Sequence, residues 1–367
     1  MSSPQAKSGI MKINPYVGGE ANIIGHDKVI KLSSNEGALG ASPRAIAAFQ
    51  ELSKNIHLYP DGSVSKLRST IGDVHSLDPN LIICGAGSDE LIALLCKAFT
   101  GPGDEVLYSE YGFLMYPISA LASGATPVKA PETKLTTNVD NILAAVTAKT
   151  KLIFIANPNN PTGTYIPKSE LFRLRAKLSD DIVLVIDAAY AEYASRPDYT
   201  EGNDLVRDNN NVIVTRTFSK SHGLGGVRLG WGYGSRLIID ILNRIRGPFN
   251  VSAGAQAAGI ASMLDSQFAK KVYDHNLKWS TWTREQLKNI GLETTDSIGN
   301  FLLISFNKGS SESSASAEKA LKMDGILVRN VENYGLPNYL RITIGTKKEM
   351  QAVINSLTTF LNQNDAK

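Results

Sequence analysis

Short apolar stretches recur at residues 81–84, 105–108, 152–156, 182–186, 212–215 and 229–233, with helical patterns between them. Most are near-continuous runs of Val, Ile and Leu, which is how a strand reads when both of its faces are covered. Such strands need helices on either side of their sheet, and the intervening segments supply them. Leu91, Leu94, Leu95, Ala98 and Phe99 mark one helix face, and Leu171, Leu174 and Leu178 mark another. Ser42 and Pro43 open a further helix, Ser42 as its N-cap and Pro43 in its first turn. The alternation predicts an α/β fold: a large domain with a mostly parallel sheet flanked by helices.

Beyond about residue 250 the pattern changes to a long helical stretch, then strands at 300–306, 325–329 and 339–344, then a closing helix. It reads as a smaller α+β domain. At 367 residues the chain exceeds one ordinary compact unit. The expected division is an N-terminal arm at 1–40 that joins the small domain, a large domain at 41–248 and a small C-terminal domain at 249–367. The Ser-rich stretch 309–316 is expected to be an exposed loop.

Apolar residues make up 43% of the chain and charged residues 20%, enough for a full core. The net charge of +3 is small, with lysines and arginines scattered among acids, so nucleic acid is not implied as a partner. The two cysteines, Cys84 and Cys96, can build neither a disulfide framework nor a cysteine-rich metal site, and read as buried thiols in a reducing compartment. Residues 1–13 lack the apolar core of a signal peptide, and no stretch has the length of a membrane span. No membrane partner is implied, and a cytoplasmic location is the expectation.

Four motifs carry chemistry. Gly85-Ala86-Gly87-Ser88-Asp89-Glu90 follows a strand and opens a helix, so a phosphate could sit on Gly87 and Ser88 at the helix N-terminus. Glu90 stands where a dinucleotide fingerprint wants a third glycine, and taken alone the run reads first as a plain capped turn. In Asn157-Pro158-Asn159-Asn160-Pro161-Thr162-Gly163, two prolines and a glycine constrain the backbone, and Asn160 is the candidate donor beyond a strand end; a rigid turn is the alternative. Asp187-Ala188-Ala189-Tyr190 ends a buried strand on an acid, which is either an N-cap or a group that faces a charge or donor. Thr217-Phe218-Ser219-Lys220, followed by Arg228 and Gly230, places a lysine among apolar residues and glycines, with hydroxyls before it and an arginine after. A Schiff-base site that also holds a phosphate requires that set.

The order and spacing of these four elements resemble the fold-type-I, class-II aminotransferases, over nearly the whole chain from Asn14-Pro15-Tyr16 to the strand that ends near Gly345. Within that superfamily, Asn14-Pro15-Tyr16-Val17-Gly18-Gly19, Leu32-Ser33-Ser34-Asn35-Glu36 and Leu58-Tyr59-Pro60-Asp61-Gly62 look like the histidinol-phosphate aminotransferase family. The resemblance implies pyridoxal 5'-phosphate as cofactor, no metal, and transfer of an amino group between L-histidinol phosphate and 2-oxoglutarate, with glutamate as product, in histidine biosynthesis. Aromatic amino-acid aminotransferases and a threonine-phosphate decarboxylase-like lyase share the scaffold and stand as alternatives.

Residue by residue, the resemblance makes Lys220 the cofactor-binding nucleophile and general acid/base, and Asp187 the partner of the pyridine nitrogen. Asn160 and Tyr190 would bond the ring's phenolic oxygen; Gly87, Ser88, Asp89, Ser219 and Arg228 would surround the phosphate. Tyr59 would reach the neighbouring subunit's cofactor, which implies a homodimer. Phe113 would stack on the ring, with Tyr111 as the alternative, because Glu110-Tyr111-Gly112-Phe113-Leu114-Met115-Tyr116 departs from the family's Pro-Thr-aromatic run. Tyr16, Asn35, Tyr59 and Arg341 would meet the substrate, and Arg329 would be a second anion contact or a surface arginine. Arginine suits carboxylate and phosphate alike, since its planar fork matches both.

Overall fold

The computed structural model describes residues 4–7, 9–23, 25, 28–306 and 312–365. In chain order its strands are β1 (Ile30–Lys31), β2 (Ile82–Gly85), β3 (Glu105–Ser109), β4 (Thr126–Ala130), β5 (Thr150–Ala156), β6 (Val183–Asp187), β7 (Val212–Thr217), β8 (Gly230–Gly234), β9 (Phe301–Ser305), β10 (Ile326–Leu327), β11 (Arg329–Asn330) and β12 (Tyr339–Thr343).

The larger sheet runs β2-β8-β7-β6-β5-β3-β4. Its pairs are parallel from β7 to β4, and β8 is antiparallel to both of its neighbours. Residue alternation sends Ile153, Ile155, Leu184 and Ile186 into one apolar layer and Leu152, Phe154, Val183 and Val185 into the other. Helices cover both layers, and this accounts for strands that read as unbroken apolar runs. β4 escapes a reading based on such runs because it is the sheet edge. Its Thr126 and Lys129 face solvent and Pro127 interrupts the pattern. Cys84 and Cys96 are free and buried in these layers.

The antiparallel sheet β11-β12-β9 packs with the helices Ser266–Asn289, Ser314–Met323 and Lys347–Asp365 around a separate cluster that includes Leu302, Ile304, Leu321, Leu340, Ile342 and Leu357. The arm joins it: β1 pairs in parallel with β10, and Leu32 lies in the same cluster. Three sequence expectations shift. The single strand expected at 325–329 is two, because the chain changes partner at Val328, from β1 to β12. The helix Ala253–Met263, on the small-domain side of the 248/249 boundary, buries Ala255, Ala258 and Met263 in the large core with Leu67 and Leu229. Of the Ser-rich stretch, residues 309–311 lie outside the described residues, and Ser313 is not a loop residue but an N-cap: its side chain accepts from Ser316 N and starts the helix Ser314–Met323.

The sheet register aligns the carboxyl ends of three strands. Ala156 pairs with Asp187, and Asp187 with Thr215. In open α/β sheets this edge is where ligands bind.

Candidate functional site

A cavity of about 310 Å3 opens at that edge, and Asp187 and Lys220 both line it. Asp187 is the last residue of β6. Its Oδ2 accepts from the Tyr116 hydroxyl at 2.7 Å and its Oδ1 from Thr215 Oγ1 at 3.2 Å. Burial holds this carboxyl up at about 6, above the ordinary 3.8, even though both hydrogen bonds favour the ionised form.

Lys220 stands three residues past the end of β7 and points into the same space. Its Nζ is 3.4 Å from the Ser34 carbonyl oxygen and 5.9 Å from the centre of the Tyr190 ring. Burial first, and the Arg341 charge second, push its amine down to about 8 from 10.5. A lysine so placed is largely cationic at neutral pH but loses its proton far more readily than a solvated one. The Tyr190 hydroxyl accepts from Asn35 Nδ2 at 2.9 Å, and Asn35 is held in turn by Thr343, with its backbone in the left-handed region at φ 55. Burial raises the Tyr190 phenol above its ordinary value, so it is a neutral donor.

One end of the cavity is built around Arg228. Its guanidinium donates to Ser219 Oγ, the Gly225 carbonyl and Asp89 Oδ2, at 3.3, 3.0 and 3.0 Å. Gly87 has φ +92, and a Cβ there would lie 2.3 Å from Arg228 Nη2; a Cβ on Gly230 would lie 2.4 Å from Ser88 N. Both glycines are thus required by close approach, Gly87 to the Arg228 guanidinium and Gly230 to the amide that opens the helix Ser88–Phe99. Glu90, in the place of a third glycine, accepts from Ala86 N and Asn250 and ties the turn down instead.

The other end holds two arginines. Arg341 donates to Asn160 Oδ1 and to the Ser33 carbonyl, while its buried Nε has no partner. Arg329 donates to the Val17 carbonyl at 2.8 Å. They stand directly opposite each other on β11 and β12, at 9% and 5% exposure, so Arg329 is not a surface residue. Tyr16 meets Phe113 edge-on, and Phe113 meets Tyr116 likewise, forming an aromatic wall.

The structure therefore brings sixteen chain positions named from sequence to different fates. Ser88, Asp89, Phe113, Asn160, Asp187, Tyr190, Ser219, Lys220, Arg228, Tyr16, Asn35, Arg329 and Arg341 line one cavity, and Gly87 supports it from behind. Tyr111 does not line it; that ring packs near Leu303 and Tyr334. Tyr59 lies elsewhere, 83% exposed and stacked on Phe249 beside a second, apolar groove. Sequence reasoning missed Tyr116 and Thr215 as partners of Asp187. Thr215 could have been found, since it ends a buried strand as a polar residue. Tyr116 sits 71 residues from Asp187 with no local signal. Among the described residues no His/Cys/Asp/Glu group could hold a metal ion, and no helix is long and apolar enough to cross a membrane.

A mostly parallel sheet with an amine, a buried carboxylate and cations gathered at its carboxyl edge defines a class, and the family model for aminotransferase class I and II matches residues 27–357. Histidinol-phosphate aminotransferase from Paramagnetospirillum magneticum is 54% identical over 98% of this chain and 99% of its own length, and that from Rhodospirillum rubrum is 54% identical over 98% and 97%. The crystal structure of histidinol-phosphate aminotransferase from Sinorhizobium meliloti in complex with pyridoxal-5'-phosphate superposes with a TM-score of 0.87 at 26% identity, covering 92% of each chain. The chain belongs to the histidinol-phosphate aminotransferase family within that class.

Proposed function

We propose that the cavity binds pyridoxal 5'-phosphate and transfers an amino group between L-histidinol phosphate and 2-oxoglutarate. The donor set fits the cofactor. Arg228, Ser219 and the first amides of the helix Ser88–Phe99 suit its phosphate. The buried Asp187 carboxylate suits a protonated ring nitrogen, which would draw its raised pKa back down. Asn160 and Tyr190 suit the ring oxygen, and Phe113 its face. When bound, the cofactor supplies an electron sink for the pair left on the substrate carbon after deprotonation.

The chain's own residues do the rest. Lys220 Nζ, with its lowered pKa, holds the cofactor and then takes and returns the proton at the substrate carbon. Asp187 keeps the ring nitrogen protonated. Tyr190, oriented by Asn35, donates without ionising.

The observation that carries the substrate reading is the pair Arg329 and Arg341. Like charges directly opposite in a sheet repel, and no carboxylate of a described residue pairs with either. Only neutral oxygens receive their protons, those of Asn160, Ser33 and Val17, so an anion beside them would relieve the repulsion. Both substrates are anionic. Purified protein loaded with pyridoxal phosphate and given histidinol phosphate and 2-oxoglutarate should form glutamate; none formed would refute the reading. A higher kcat/KM for phenylalanine than for histidinol phosphate would move it to the aromatic aminotransferases.

A homodimer and a cytoplasmic location complete the proposal. Tyr59, Phe49, Ile56, Leu58 and Phe249 line an exposed apolar groove of about 880 Å3, a surface that a second copy would cover. The two buried free thiols support a reducing compartment. Sedimentation of the purified protein as a monomer would remove the dimer.

A further inference from the structure

On the face of β7 turned away from the cavity lies an ion pair that the reaction above does not use. Alternation along the strand aims Thr215 at Asp187 and Thr217 at the cavity, and sends Arg216 the other way. There the Arg216 guanidinium, 3% exposed, donates from Nη2 to Glu192 Oε1 at 2.8 Å and lies 5.3 Å from the centre of the Trp231 ring. Arg216 Nε and Glu192 Oε2 are buried without partners.

The place of this pair in the chain is what matters. Glu192 sits in the single turn Ala191–Tyr193, two residues after Tyr190, and Arg216 sits four residues before Lys220. β6 and β7 are joined as far as the bond from Ala188 N to the Thr215 carbonyl, and then diverge. Among the described residues, Arg216 to Glu192 is the one hydrogen bond that joins residues 189–193 to residues 216–222. The Arg216 side chain is buried and that of Glu192 is 21% exposed, and a largely buried ion pair is a poor device for stability alone, because apolar side chains of similar volume serve as well or better. What it supplies instead is a contact of defined length and direction.

We propose that Arg216 and Glu192 are positioning residues for the transamination: the pair locks the turn that carries Tyr190 to the strand end that carries Lys220. The proposal rests on the aminotransferase reading of the cavity. Lys220 must reach a substrate carbon while Tyr190 bonds the cofactor, and the two side chains come from segments that no other hydrogen bond joins among the described residues. A 1 Å misplacement of such groups is enough to lower a rate by on the order of a hundredfold.

The double variant Glu192→Leu/Arg216→Met separates positioning from stability. It should unfold near the wild-type urea midpoint and bind pyridoxal phosphate, followed by absorbance, within about threefold of wild type. Its kcat should fall tenfold to a hundredfold with KM little changed, and the pH midpoint of the bound cofactor's visible absorption should move. Wild-type kcat and an unmoved pH midpoint in this variant would overturn the proposal. If the double variant does not fold, Arg216→Lys keeps the charge and loses the planar fork; it should show the same kcat loss and spectral shift, and wild-type values for both would again overturn the proposal. Wild-type protein run in parallel keeps the two failures distinct, because only failure of the aminotransferase reading would leave it without cofactor absorption or glutamate formation.

Discussion

Tyr116→Phe removes one hydrogen bond from the centre of the site and little else. The ring stays, stacked on Phe154 with centroids 4.5 Å apart and edge-on to Phe113, so no cavity opens. What is lost is the 2.7 Å donation to Asp187 Oδ2. Hydrogen bonds to charged groups are worth ~1.5–3 kcal/mol and neutral ones ~0.5–1.5. The loss therefore falls on the ionised carboxylate by roughly 1–1.5 kcal/mol more than on the protonated acid, which is about one pH unit. Burial already holds Asp187 at about 6 against an ordinary 3.8. With its pKa raised on folding, the group favours the folded state in acid, below 3.8, and loses that contribution as pH rises through 6; in the variant the loss continues to about 7. Urea unfolding of the cofactor-free proteins at pH 5 and pH 8 measures this directly. The stability gap between wild type and Tyr116→Phe should be wider at pH 8 by ~1–1.5 kcal/mol. An equal gap, or a wider one at pH 5, would refute the reasoning.

Lys220→Met should make the cofactor-free protein more stable at pH 7 by ~1–3 kcal/mol, since an amine held at about 8 rather than 10.5 opposes folding while charged. The advantage should close between those two values as the native lysine gives up its proton, and the variant should bind pyridoxal phosphate without the absorption of a covalent adduct. Gly87→Ala forces a Cβ to 2.3 Å from Arg228 Nη2 at φ +92; titration should show pyridoxal phosphate affinity reduced tenfold or more, and urea unfolding a loss of ~1–3 kcal/mol. Arg341→Lys keeps the charge but cannot reproduce both the bond to Asn160 and the bond to the Ser33 carbonyl. Its kcat/KM for histidinol phosphate should fall on the order of tenfold to a hundredfold, mainly through KM; an unchanged kcat/KM would place the substrate anion elsewhere.

The parts of this molecule legible in sequence are those in which a single segment carries its own physical reason. The β5, β6 and β7 strands carry apolar residues on both faces because both faces are covered, and a polar residue ends β6 and β7 and directly follows β5 where their carboxyl ends meet the cavity. Asn160, Asp187, Tyr190 and Lys220 share that logic. Contacts made by distant segments leave no local mark. The Tyr116 hydroxyl reaches Asp187 only because the helix Met115–Ser123 sets its ring on Phe154 of β5, and the Arg216–Glu192 pair exists only because the turn after β6 brings Glu192 to the far face of β7.

The substrate end shows the same division more sharply. In sequence Arg329 and Arg341 are two arginines in apolar strands, one of which could as well have been a surface residue. Their meaning comes from register: Arg329 opposite Arg341 and Asn330 opposite Leu340 put two guanidiniums on the same side of adjacent strands. Because the side-chain period of a strand is two, a slip of one residue would send Arg329 to the opposite face and leave Arg341 alone. That register is set remotely, by Val328 and Leu340 packing into the cluster that holds Leu302 and Ile342. The apolar core of the small sheet thereby determines how many charges face the substrate anion, so substitutions at Val328 or Leu340 that disturb packing should change anion affinity before they change any residue in the cavity.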